Sequence, residues 1–366
     1  MPATLPRPVR TAALAWGYNN FGGLGLGHSA RVYVPARAGL PAGTAGVQGG
    51  GDFTMAWTTA GELYAWGGNT YGQLGDGTSR GRLTWARVPL PDGTAVTSVQ
   101  AGIDHVLALT AGGEVYAWGR NHRGQVGDGS TGLQLLPVRV IDGHPATLAA
   151  GRGVSAAVTR DGQLLAWGRN GSGQLGAGPG GDVTAPTPVS LPPGAQAAAV
   201  DAGYQHLIVL TTAGSLLAFG AGPQGRPLPR HVPLDRAWGE VGSLCAGNSF
   251  TLALTRRGLL LAWGANGYGQ LGLGDQHDRD TPAVVPFPPE AGPVTSFWAG
   301  DHSAAAVTAH GEVYTWGQTR WGQGGTGRTA APQPRPARVT LPPGTRPAAV
   351  SGGADHVIVT LAENGR

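Results

Sequence analysis

AGIDHVLALTAGGEVYAWGRNHRGQVGDG, residues 101–129, is the stretch from which the fold can be read. His105 to Thr110 is an apolar run of strand length, Ala111 to Gly113 a turn, and Glu114 to Trp118 a second, alternating run. Asn121 to Gly129 is a glycine loop. Val96 to Ala101 before the stretch and Leu135 to Val140 after it complete four short strands separated by glycine turns. The dipeptide Trp-Gly returns at Trp16, Trp66, Trp118, Trp167, Trp263 and Trp316, and Phe219-Gly220 fills the one gap. The spacings are 50, 52, 49, 52, 44 and 53 residues, which makes seven units. Four strands repeated at a fixed period are the sequence signature of a propeller blade. The expected fold is all-β: a seven-bladed β-propeller of four-stranded antiparallel blades.

The turn before each Trp strand holds Gly61, Gly113, Gly162, Gly214, Gly258 and Gly311 in register, with Asn364 in the last unit. Gly, then Asn, is what a left-handed turn position demands. The two ends explain each other. Val350 to Leu361 matches the first two strands of a unit and stops, while Ala12 to Trp16 matches a third strand with no predecessor. A single domain over residues 1–366 is expected, its seam blade formed by about 345–366 plus 11–36. Closing the ring this way leaves no broken sheet between its ends.

Composition agrees and excludes a good deal. Glycine (65) and proline (29) make up about a quarter of the 366 residues, a share that would break helices throughout. Yet 41% of the chain is hydrophobic, with 11 Trp, and only 13% is charged, so it is not a disordered sequence. All 25 basic residues are Arg, which removes lysine-dependent phosphate loops, Schiff bases and kinase chemistry. The Ala, Gly, Arg and Pro excess suits a high-GC bacterial genome. Net charge is only +4 without a dense basic stripe, so nucleic-acid binding should be weak or absent. One cysteine allows no internal disulfide, and Thr11 to Trp16 is too short for a signal-peptide core. No run approaches membrane-spanning length. A cytoplasmic monomer is the expectation.

Catalytic chemistry is not evident. Cys245, on an expected inner strand, reads as a buried structural thiol. His105, His206 and His356 share one repeat position, which Phe53, Val154, Phe250 and Ser303 fill elsewhere, so no ring of metal ligands exists. The polar run Asp275 to Asp280 lacks the Gly and distal Glu of a calcium loop. GxG strings such as Gly23 to Gly27 recur with the repeat and open no helix, so they are not dinucleotide fingerprints. No catalytic residue, cofactor or metal is expected.

The string AGxxHxxALTxxGxVYxWGxNxxGQLGxG resembles the regulator of chromosome condensation repeat, and residues 101–129 and GGDFTMAWTTAGELYAWGGNTYGQLGDG (50–77) are nearly complete matches. The resemblance covers essentially the whole chain and implies that family's seven-bladed propeller. The fifth unit departs from it, with Phe219 for Trp and AFGAGPQGRPLPRHV in place of the asparagine–glutamine loop, so one sector of one face should be trimmed.

Antiparallel order places the AGxx loops and the NxxGQLG loops together on one face and the TxxG hairpins on the other. On the first face, the pairs after Ala-Gly or its equivalent place Asp52, Asp104, Asp301 and Asp355. In the chromosome condensation exchange factors, acidic and His residues at such places contact a small GTPase, and Asp104-His105 and Asp355-His356 match that form. Two positions beyond the loop Asn, or its equivalent in the last unit, stand Phe21, Tyr71, Tyr268 and Trp321. They belong to four units that neighbour one another around the closed ring, so they should form an aromatic arc, the kind of anchor protein interfaces use. Arg320 and Arg328 head a run of five Arg without an acid between Gly317 and Pro347, beside that arc. These ten residues are the candidate contacts for a protein partner of a non-enzymatic scaffold. Three other functions come with the resemblance: nucleotide exchange on a small GTPase, enzyme inhibition as in exported bacterial propellers, and UV-B reception. Exchange factors of the family carry an additional β-wedge, and no insertion here is long enough to supply one. Plant UV-B receptors place a Trp directly after the Ala-Gly-like pair. Here that slot holds Gly51, Ile103, Arg152, Tyr204, Asn248, Asp301 and Ala354.

Overall fold

The structure, a computed structural model, describes residues 12–176, 180–220 and 230–362. Seven four-stranded antiparallel sheets stand around a central channel. Blade 3 shows the pattern: Val96–Ala101 lines the channel, followed outward by His105–Thr110, Glu114–Gly119 and Gln134–Asp142. Blade 1 is the seam. Its two inner strands, Pro347–Gly352 and His356–Leu361, come from the C-terminal part, and Ala12–Gly17 and Val32–Gly39 from the N-terminal part. Leu14 pairs with Val359 across the join. The hairpin glycines Gly61, Gly113, Gly162, Gly214, Gly258 and Gly311 have φ between 74° and 88°, a region that a Cβ disfavours. Asn364 lies outside the described residues.

The apolar core lies between blades rather than within them. Phe53, Met55 and Leu63 of blade 2 pack with Val99, Val106 and Trp118 of blade 3 in one buried cluster. The repeat Trp fastens this packing with a directional bond. The indole of Trp118 donates to the Gln73 carbonyl of the preceding blade at 2.9 Å. Trp167 donates to Gln125 (3.0 Å), Trp316 to Gln270 (2.9 Å) and, across the seam, Trp16 to Gln323 (3.0 Å). The loop glycine two residues after each such Gln is needed because the indole lies against it. A Cβ on Gly75 would stand 2.7 Å from the Trp118 Nε1. In blade 5, Phe219 fills the same buried slot without a donor. The departing loop of that blade, residues 221–229, lies outside the described residues.

The channel has a compartment of ≈290 Å³ opening to the AGxx loops and another of ≈420 Å³ toward the hairpins. Gln48, Cys245, Phe297 and Trp298 line both and mark the waist. Among the described residues no helix is long and apolar enough to cross a membrane.

Candidate protein-binding face

Each face loop is braced by its own motif residues. In blade 2, buried Asn69 accepts the Leu74 N–H at 2.9 Å and donates to the Thr78 and Arg80 carbonyls, both at 3.0 Å. Gln73 Oε1 accepts the Tyr71 N–H at 2.8 Å. The same glutamine bond holds Tyr268 (2.9 Å) and Trp321 (2.8 Å). The loop Asn and Gln therefore form a frame, and the residue two positions past the Asn is what the frame displays.

The four aromatics are displayed unequally. Phe21 is 46% and Tyr268 40% exposed, whereas Tyr71 and Trp321 are half-buried. Trp321 lies between two guanidinium groups, Arg31 at 4.4 Å and Arg320 at 4.7 Å from its ring centre. Its edge meets Tyr18 at 5.8 Å, and Tyr18 meets Phe21 at 6.3 Å. Tyr71 sits under Arg120 (4.4 Å), and Tyr268 stacks on His302 (4.6 Å). Blades 7 and 1 thus hold one contiguous aromatic–arginine stack, flanked by Tyr71 and Tyr268 with contacts of their own. Arg328 is exposed, outside that stack.

The acidic residues sit nearer the channel mouth, on loops tied blade to blade. The Gly51 N–H donates to the Ile103 carbonyl (3.0 Å), and the Asp301 N–H to that of Ala354 (3.0 Å). Burial pushes Asp355 up to about 7, aided by the charges of Asp301 and Asp52, while a bond from Gln323 Nε2 at 3.0 Å opposes it. Burial likewise raises Asp52 to about 6, with Asp104 and Asp301 adding repulsion. Asp301 is raised by burial and partly relieved by Arg152 at 3.9 Å. Asp104 forms a closer ion pair, with Arg120 at 3.1 Å. Three of the four carboxyl groups are therefore desolvated and mutually repelling, a costly arrangement that a cationic partner group would relieve.

Sequence reasoning missed two features. Tyr18 and Arg31 complete the stack around Trp321. Across the mouth, Arg120, Arg123, Arg152 and Arg169 surround Tyr204 in a cleft of ≈240 Å³. Arg152 and Arg169 lie 5.0 and 4.6 Å from its ring. Arg120 and Arg169 share one repeat position, just before the loop Asn, and that recurrence was the available signal. The loops at the channel mouth are thus acidic over blades 7, 1 and 2, inside the aromatic–arginine stack, and basic over blades 3 and 4.

The remaining candidates of the sequence have structural places. His105 meets Ser155 Oγ of the next blade at 2.8 Å, His206 meets Thr251 at 3.1 Å and His356 meets Thr54 at 3.1 Å. The Ser155 hydroxyl is spent on the Gln125 carbonyl (2.7 Å), so the His105 Nε2–H is the donor. Burial lowers all three imidazoles to about 4, keeping them neutral. Cys245 Sγ accepts the Ala299 N–H at 3.3 Å, and burial beside Asp201 drives the thiol pKa upward. Asp275 is bound by Arg279 at 2.6 Å. Among the described residues no three His, Cys, Asp or Glu gather as a metal site.

Comparison with known proteins agrees with the propeller fold. The Regulator of chromosome condensation (RCC1) repeat matches residues 12–57, 60–109, 112–158, 161–210, 257–307 and 310–360. The chain belongs to this family. It is 32% identical over 331 residues to the Ultraviolet-B receptor UVR8 of Arabidopsis thaliana, covering 86% of this chain and 74% of that protein. It is also 32% identical over 363 residues to the E3 ubiquitin-protein ligase HERC2 of Homo sapiens, covering 94% of this chain but only 7% of that protein. Human WBSCR16 superimposes with a TM-score of 0.84 at 25% identity, over 97% of this chain and 100% of that one. Yeast RCC1 (Prp20), solved bound to Kap60, superimposes with a TM-score of 0.86 at 22% identity, over 98% and 90%. At that identity the likeness speaks for the fold alone.

Proposed function

We propose that this RCC1-repeat propeller is a non-enzymatic scaffold that docks a protein partner on its loop face. The observation that carries the reading is the stack of Arg31, Trp321 and Arg320 with Tyr18 and Phe21, standing beside the desolvated Asp52, Asp301 and Asp355. Aromatics and Arg at the centre of a rigid face are what interface hot spots are made of. The polarity of the face adds orientation: a partner places cationic groups over the Asp side and anionic groups over the Arg cleft. Solved structures of the same fold support protein binding, since yeast RCC1 was solved bound to Kap60 and Prp20p is described as binding Gsp1p and histones.

Nucleotide exchange on a GTPase fits less well. Its contact pattern pairs Asp with His, but His105 and His356 are fully buried between blades and offer nothing to a partner. UV-B reception fits least, because no Trp follows the Ala-Gly pairs in any blade. Affinity capture from the source cell, with wild type and a Tyr71→Ala, Tyr268→Ala, Trp321→Ala variant as parallel baits, tests the proposal. One protein retained by the first bait and lost from the second supports it. Equal retention by both overturns it.

A further inference from the structure

The outer strand of each blade has an unpaired edge, and this protein blunts those edges with proline. The last regular pair before a register shift that recurs on the outer strand aligns them. The third strand of each blade pairs with the outer one at Ala15↔Ala36, Ala65↔Ala86, Ala117↔Val138, Ala166↔Thr187, Ala262↔Ala283 and Thr315↔Ala337. The residue just before these outer partners is Pro35, Pro137, Pro186, Pro282 or Pro336 in blades 1, 3, 4, 6 and 7. In blade 5, Ala218 pairs with Arg230, and the residue before it in sequence is Pro229, outside the described residues. Blade 2 breaks the series with Trp85. Proline is tolerated in a sheet where its missing N–H would point away from the neighbouring strand, or at a bulge. The repeated prolines thus show that the ladder to the third strand does not use the N–H at this position. Blade 2 alone replaces that blocked position with an N–H donor.

The surroundings turn this gap into a surface. Arg82–Arg87 is exposed along nearly its whole length, with Leu83 and Trp85 each 42% exposed. The Trp85 ring is held edge-on against Tyr64 at 5.4 Å. The Leu83 carbonyl is already taken by the Gly27 N–H of blade 1 at 3.2 Å, as in the other blades. From Thr84 to Arg87, no backbone bond to another blade is made among the described residues. A strand edge with free donors beside an anchored aromatic is what an incoming β-strand needs.

Charge selects the occupant. Arg80, Arg82 and Arg87 are exposed around this edge. Arg82 is held at 2.9 Å by the largely buried Asp76, whereas Arg87 meets Glu62 at 3.6 Å in an exposed pair of the kind that holds little energy. Two copies joined along this edge would gather Arg80, Arg82 and Arg87 of both into one seam, a concentration of like charge that an acidic segment avoids. We infer that the outer edge of blade 2, at Thr84–Arg87, accepts an extended, acid-flanked segment of a partner protein as a fifth strand, with apolar side chains set against Leu83 and Trp85. This lateral site is separate from the loop face and stands or falls without it.

The test uses the whole protein and the peptide acetyl-Glu-Val-Thr-Val-Thr-Glu-amide, followed by titration and by exchange of the Trp85 amide. The peptide should bind and protect that amide. Trp85→Pro gives blade 2 the residue the other blades carry and should weaken binding about tenfold or more, because it removes both the edge donor and the aromatic contact. Trp85→Ala, which keeps the N–H, should lose less. If Trp85→Pro does not fold, the peptide N-methylated at alternate amides tests the same bonds on the unaltered protein and should lose its affinity. Equal binding to Trp85→Pro, equal binding by a peptide with Lys at both ends, or undiminished binding of the methylated peptide overturns the proposal. So does Trp85-dependent dimerisation that the peptide cannot compete, which would assign the edge to a second copy.

Discussion

Trp316 and Trp321 lie five residues apart in blade 7 and do opposite work. Trp316 is fully buried between blades and its indole is committed to the Gln270 carbonyl. Trp321 stands on the face between two arginines, and only its backbone N–H belongs to the frame. One loop therefore combines an inner register that fastens the ring with an outer register that it displays. The difference is general: Asn, Gln, Gly and the strand-ending Trp are structural in every blade where they are described. The positions between them differ from blade to blade and give the face its polarity.

The largest effect should come from breaking the inner register at the seam. Deleting residues 347–366 removes the two inner strands of blade 1 and exposes the edges of its neighbours. The protein should then elute as aggregate in size-exclusion chromatography and lose its cooperative melt. A monomer with an unchanged melting temperature would show that the ring does not depend on its closure. Next in size, Trp118→Ala should cost ~3–5 kcal/mol in a denaturant titration, as large-to-small changes in packed cores do. Trp118→Phe keeps most of the volume but orphans the Gln73 carbonyl, for about 1–3 kcal/mol. Blade 5, with Phe219, shows that the slot accepts the ring.

A smaller effect belongs to the displayed acids. Asp355 and Asp52 have folded-state pKa values of about 7 and about 6, above an ordinary carboxyl. Their protonated forms are favoured by folding, so the folded state binds more protons than the unfolded one across this range. Stability contributed by these groups is present below about pH 4 and is lost as pH rises to about 7. Asp355→Asn should therefore raise the melting temperature at pH 8 and flatten its fall between pH 4 and 7. A melting temperature that rises with pH through that window in the wild type, yet not in Asp355→Asn, would reverse the sign and refute the desolvated cluster.

Legibility in the sequence divided along the same line. The fold was readable because inner-register residues repeat: Trp-Gly at a period near 50, hairpin glycines at one offset, and a half-unit at each end. Periodicity also located the displayed positions, since Phe21, Tyr71, Tyr268 and Trp321 are defined by their distance from a framing Asn or its equivalent. What the chain did not reveal were contacts between displayed residues of different blades. Arg31 reaches Trp321 only because the seam closes, bringing together residues 290 apart. Tyr204 gathers Arg152 and Arg169 from the preceding blade. The raised acids were equally hidden, because burial at the channel mouth, rather than residue type, sets their protonation.

The separation of the two registers is most directly tested by measuring Trp316→Ala and Trp321→Ala side by side, for denaturant stability and for affinity to the captured partner. Trp316→Ala should lose ~3–5 kcal/mol of stability. Trp321→Ala should stay within about 1 kcal/mol of wild type, as surface changes do, and bind roughly thirtyfold more weakly, the scale of a ~2 kcal/mol anchor. Contradiction would be a Trp321→Ala protein as unstable as Trp316→Ala whose folded fraction binds with full affinity, since Trp321 would then be a second packing residue and the face would have no anchor there.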